Sequence, residues 1–213
     1  MHCYQGNYGE DIIEWKTQSG VPITTIVTDD QVAVDKHIIS RFQFPTKGSK
    51  HETRVFGFDT EWVVHEHEVS SAKCASVQLC YGNSCLIILL RFGRVPQSLV
   101  NFLHNPDYTF VGFGIKDNIA KLEKNYGFGC RNAVELAPMA ATMMKIPRLS
   151  YCGVRELAYL VNGLDLRNHS CESSSSLDWS VFDHRKEIVK IASANVYAYH
   201  KIGSKLLAQD GNK

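Results

Sequence analysis

The segment Arg54-Val55-Phe56-Gly57-Phe58-Asp59-Thr60-Glu61-Trp62-Val63-Val64 constrains this chain more than any other. Its Val and Phe content reads as a β-strand, and the i, i+2 spacing of Asp59 and Glu61 turns both carboxylates to one face. Two like charges on one face of a central strand repel each other and lose hydration, a cost that a cation between them removes. The competing reading is an edge strand with a solvated Asp-Thr-Glu face. The apolar lead-in Val55-Phe56-Gly57-Phe58 argues against it. Hard oxygen ligands in this arrangement suit Mg²⁺ or Mn²⁺.

A chain of 213 residues with 44% hydrophobic content can bury one substantial core. The 23 Lys and Arg nearly balance 22 Asp and Glu, so the net charge of +1 gives no bulk attraction to nucleic acid. No basic stripe with interleaved aromatics appears either, which argues against a general RNA-binding module. Seven cysteines, scattered and without a Cys-x-x-Cys pair, fit a reduced compartment and speak against a structural zinc site. The opening Met1-His2-Cys3-Tyr4-Gln5-Gly6 lacks a charged-then-apolar signal pattern, and the longest apolar run, Cys85 to Leu90, is too short to span a bilayer. These features lead us to expect a soluble protein of the cytoplasm, the nucleus or both.

Taken in order, the chain opens with two β-rich runs, Asp11 to Lys16 and Val21 to Thr28, which read as a hairpin that caps the domain or offers an edge to a partner chain. Asp29-Asp30 signals a helix start, and Val32, Val34, His37, Ile38, Ile39 and Phe42 form an apolar stripe that ends before Pro45. After the acidic strand, His65-Glu66-His67-Glu68 is read as a solvated turn rather than a metal cluster. Ala75 to Tyr81 and Cys85 to Leu90 complete an antiparallel meander of three strands. From Pro96 the pattern changes to helices alternating with short strands at Tyr108 to Phe113 and Asn132 to Leu136. A helix over Gly153 to Val161 follows, then the serine run 173–176, read as a loop. Asp183 can cap a last helix through Ile188, Ile191, Ala192, Asn195, Tyr199 and Ile202. The expected class is α/β, a mixed β-sheet flanked by helices with an N-terminal β-hairpin. Residues 1–49 supply the hairpin and first helix of the same domain, 50–207 the main domain and 208–213 a tail.

Three separated segments carry a resemblance. Phe58-Asp59-Thr60-Glu61-Trp62, then Phe110-Val111-Gly112-Phe113-Gly114-Ile115-Lys116-Asp117, then the helix after Asp178-Trp179-Ser180 resemble the three motifs of the DnaQ-like (DEDD) 3′-5′ exonucleases. The Werner-syndrome-type branch, with its plant RISC-interacting clearing exoribonucleases, is the nearest in flavour. The resemblance covers residues 50–207. It implies an RNase H-like fold, single-stranded nucleic acid as substrate, RNA by analogy, and a homo-oligomer, hexameric in the family. It also implies two divalent ions, Mg²⁺ or Mn²⁺, about 4 Å apart. Carried over by position, Asp59 bridges both ions, Glu61 binds the first, and Asp117 helps hold the second.

The third motif departs from the pattern. The family has Tyr-x-x-x-Asp on the last helix, where this chain has Ile191 and Asn195. Asn195 can offer a neutral carbonyl oxygen to a cation, although loss of a negative charge weakens a hard-ion site. A satisfied core amide is the alternative reading of Asn195. The same helix carries Tyr197, rotated away from Asn195, and His200, read as a surface or interface histidine. Trp62 points to the opposite face and reads as core. Two functions remain: a metal-dependent exonuclease using Asp59, Glu61, Asp117 and Asn195, or an impaired paralogue that binds nucleic acid or serves in an assembly.

Overall fold

The computed structural model describes residues 9–42, 54–63, 73–90, 94–166 and 185–210. The His65 to Glu68 run, the serine run 173–176, Asp178-Trp179-Ser180 and Asp183 lie outside these residues. Alternation of apolar and polar side chains builds β1 (Asp11–Lys16) and β2 (Pro22–Thr28), which pair antiparallel as expected. Asp30 accepts the Ala33 N–H at 2.8 Å and starts α1 (Gln31–His37), which continues as a π-helical turn over Ile38–Phe42. Replacing Asp30 by Ala is expected to lower stability by about 1 kcal/mol, seen as a lower urea midpoint, because that N–H loses its partner.

β3 (Arg54–Val63), β4 (Lys73–Tyr81) and β5 (Ser84–Leu89) form the meander, and β6 (Tyr108–Gly112) and β7 (Ala133–Glu135) extend it parallel to β3. One seven-stranded mixed sheet results, in the order β1-β2-β5-β4-β3-β6-β7. The hairpin does more than cap it, since β2 pairs parallel with β5 and lies inside the sheet. The remaining helices are α2 (Gln97–Leu103), α3 (Ile115–Tyr126), α4 (Leu136–Met144), α5 (Val154–Asn162) and α6 (Arg185–Asp210), with a 3-10 turn over Pro147–Tyr151. No helix among the described residues is long and apolar enough to cross a membrane.

Strand alternation divides the core. Phe56, Phe58 and Phe110 point to one face and pack with Phe42 and Phe102, all fully buried, under α1, α2 and α3. Val55, Cys80, Cys85 and Val111 point to the other, under α4, α5 and α6. Small residues let α6 lie close to the sheet. A Cβ on Gly57 would overlap the Val196 carbonyl oxygen, and one on Gly203 would stand 2.7 Å from a Val111 methyl. The helix therefore crosses β3 directly over Gly57, antiparallel to it, so its earlier residues lie toward the carboxylate end of the strand.

His200 is not at the surface as the sequence suggested. It is buried, its Nδ1 lies 2.9 Å from the Val55 carbonyl oxygen, and its Nε2 accepts the Gly82 N–H at 3.0 Å. An imidazole with one donor and one acceptor used in this way is the neutral tautomer, and burial holds its pKa down to about 4. Tyr197 points away from the carboxylates, as its phase predicts, and meets Trp15 edge-on at 6.5 Å.

Candidate active site

Asp59 and Glu61 stand on the α6 face of β3, beside Gln78 and Ser76, their register partners on β4. Asp59 is ringed by donors. Its Oδ1 accepts the Thr60 N–H at 2.8 Å and the Asn118 side-chain amide at 3.0 Å, and its Oδ2 accepts the Tyr199 hydroxyl at 3.2 Å. Burial still outweighs these bonds and raises the Asp59 pKa to about 6. Glu61, hydrogen-bonded by Gln78, is pushed to about 7 by burial first and by the Asp59 charge second. The Tyr199 phenol is raised well above its usual range, again by burial and then by Asp59. It leans on the Phe113 ring at 5.4 Å.

The start of α3 is held by Glu135, at the end of β7. Its two carboxylate oxygens accept the Gly114 N–H at 2.7 Å and the Ile115 N–H at 3.1 Å, a charged cap for the helix N-terminus. One turn further on, Asn118 meets Asp59. The three elements β3, α3 and α6 thus meet at one carboxylate.

The family model described as 3′-5′ exonuclease matches residues 43–209. The chain belongs to the 3′-5′ exonuclease family. It is 30% identical over 112 residues to the RISC-interacting clearing 3′-5′ exoribonuclease 1 of Arabidopsis thaliana, across 51% of this chain and 56% of that protein. A second Arabidopsis 3′-5′ exonuclease is 28% identical over 110 residues, across 50% of this chain and 38% of that protein. The matches therefore span about half of each chain or less. Among solved structures, Escherichia coli RNase D superposes with a TM-score of 0.63 at 16% identity, over 89% of this chain and 45% of that one. Brucella melitensis NrnC gives 0.58 at 17%, over 76% and 77%, and the exonuclease domain of Aedes aegypti Nibbler gives 0.62 at 14%, over 87% of both. These likenesses show the fold, an RNase H-like mixed sheet flanked by helices.

Of the four residues that the sequence assigned to the site of this exonuclease-family chain, the structure brings Asp59 and Glu61 together. Asn195 lies one helical turn before Tyr199 on the same stripe, half-buried on the Glu61 side, and its side chain makes no hydrogen bond to a described residue. Asp117 does not join them. It is exposed on the outer side of α3, because the inward stripe runs through Ile115, Ile119 and Leu122 and leaves Asp117 about 200° from Ile115. Its neighbour Asn118 takes the place next to Asp59. The same period, applied before the residue type, would have found Asn118. It would also have found Tyr199, four residues beyond Asn195. Nothing local pointed to Gln78 or Glu135, which act through strand register and a helix start elsewhere in the chain.

Two divalent ions require more anionic oxygen than these residues offer. Asp59 already accepts three protein hydrogen bonds, the side chains bonded to it are an amide and a phenol, and no three His, Cys, Asp or Glu side chains cluster among the described residues in a way that could hold a metal ion. The described residues do not fit a two-ion centre.

Proposed function

We propose that this chain binds the 3′ end of single-stranded nucleic acid, RNA in particular, and has lost nearly all of the hydrolysis practised by its family. One observation carries the reading: Asp59, the residue expected to bridge two ions, is instead held by the Asn118 amide and the Tyr199 hydroxyl. RNA is suggested by the exoribonuclease activity in the name of the Arabidopsis relative, 3′-end binding by the 3′-5′ polarity in the same name, and the similarly folded NrnC has been solved bound to pGG. Membership of a homo-oligomer, as the resemblance implies, is part of the same proposal. The second reading, a slow exonuclease served by one Mg²⁺ or Mn²⁺ ion at Asp59 and Glu61, is favoured by the retention of both carboxylates on one face.

The test uses a 5′-labelled single-stranded RNA with a free 3′ end, in Mg²⁺ or Mn²⁺, with the wild type, Asp59→Ala, and the double variant Asn118→Asp/Asn195→Asp. The wild type should bind the RNA and leave it intact. The double variant supplies two carboxylates beside Asp59 and Glu61, and its cleavage should exceed the wild-type rate by roughly 10³-fold, equivalent to the several kcal/mol that metal-ion stabilisation contributes. A wild-type ladder of shortened products that disappears in Asp59→Ala would establish the exonuclease reading instead.

A further inference from the structure

The β4–β5 hairpin turns through Gly82 and Asn83, with Tyr81 opposite Ser84. Gly82 has φ +60°, the positive value that a two-residue turn of the II′ kind places at its first position. Paired positions alternate along an antiparallel ladder, so Tyr81 and Ser84 close the turn as a hydrogen-bonded pair. Cys80 and Cys85 follow as a non-hydrogen-bonded pair, whose Cα atoms stand only about 4.5 Å apart. That spacing lies within the range a disulfide spans. Both side chains point to the α6 face, both are buried, and their sulfurs are 3.2 Å apart.

We propose that Cys80 and Cys85 are an oxidisable dithiol that closes to a cross-strand disulfide. With hydrogen peroxide as the oxidant, one thiolate attacks a peroxide oxygen, giving a sulfenic acid and hydroxide. The second thiol then displaces water from that sulfur, so two thiols and one peroxide become one disulfide and two waters. Burial keeps Cys80 in its thiol form, so the reaction proceeds through openings of the hairpin and is slower than at an exposed cysteine.

Position gives the bond its consequence. Cys80 pairs with Gly57, where α6 crosses the sheet. Cys85 directs its S–H at the Ser193 carbonyl oxygen of α6 at 3.7 Å, and the turn itself is tied to α6 through Gly82 and His200. Oxidation removes this S–H contact with α6 and locks β4 to β5 beneath the helix that carries Tyr199. Cys74, the other cysteine of β4, points to the opposite face and directs its sulfur at the Ser76 carbonyl oxygen.

The full chain is treated with hydrogen peroxide, quenched, and alkylated in denaturant. The number of free thiols should fall by two, the tryptic peptide from Cys74 to Arg91 should carry one alkyl group in place of three, and dithiothreitol added before alkylation should restore both thiols. The loss should persist in Cys74→Ser and vanish in Cys85→Ala. An unchanged dithiothreitol-reversible thiol count in the wild type, or a loss abolished by Cys74→Ser, would overturn the assignment.

Discussion

Gly57→Ala is expected to leave the chain largely unfolded. The added methyl would overlap a backbone oxygen, that of Val196, and would also crowd the His200 N at 2.9 Å, so no side-chain rotation relieves it. Helix α6 would have to lift from β3 over its central turns. Lifting it breaks the Tyr199–Asp59 and His200–Val55 contacts and opens the core shared by Val55, Val111, Ala198 and Ile202. Overpacking alone costs roughly 1–3 kcal/mol, and the lost contacts add to it, so a loss above about 4 kcal/mol is expected, close to the whole margin of a domain this size. Gly203→Ala is the control. Its new methyl meets the side chains of Val111 and Val55 rather than backbone, so a partial loss is expected. Circular dichroism with urea titration of both variants decides the matter. Equal, small losses would show that α6 does not depend on contact at Gly57.

Glu61→Gln is expected to stabilise the protein at pH 8 when divalent ions are chelated. The Glu61 pKa is about 7 in the folded chain against its ordinary 4.5, so the folded state holds that proton more tightly than the unfolded state. Its contribution is complete below pH 4.5 and is lost as pH rises through 7, amounting to about 2–3 kcal/mol at pH 8. Glutamine removes the buried charge and keeps a polar group beside Gln78. The gain should therefore appear at pH 8 and vanish near pH 4. Asp59, raised to about 6 from 3.8, works in the same direction. His200 works in the opposite one: its folded value of about 4 lies below 6.5, so its stabilisation is present above pH 6.5 and is lost as pH falls toward 4. Urea midpoints at the two pH values isolate Glu61 by difference. A Glu61→Gln protein less stable than wild type at pH 8 would mean that a positive group answers the Glu61 charge.

The two chemistries of the chain differ in how far the sequence exposed them. Asp59 and Glu61 were legible because two charges in a Val- and Phe-rich strand contradict its burial, and that contradiction is local. So were the antiparallel runs, each set by alternation and a turn. The pairing of β2 with β5 was not, because nothing within either run records which distant strand lies beside it. Asp117 was carried over by its position in the motif, whereas the helix chooses by rotation, and rotation favours the Asn118 amide. His200 was misplaced for a related reason. Its partners, a strand carbonyl and a turn amide, are backbone groups that no side-chain pattern announces.

Helix α6 touches β1 through β6 as well as α4 and α5, and it is the last element described. During synthesis, the sheet that precedes it emerges with part of one face uncovered: Ile13, Val27, Ile87 and Leu89 await Val189 and Ala192, and Val55 and Val111 await Ile202. Contacts so distant in sequence form late and slowly. A ribosome-bound chain halted before residue 185 should therefore present a sticky, protease-sensitive intermediate that chaperones recognise, and protection should arrive abruptly once this one helix clears the exit tunnel.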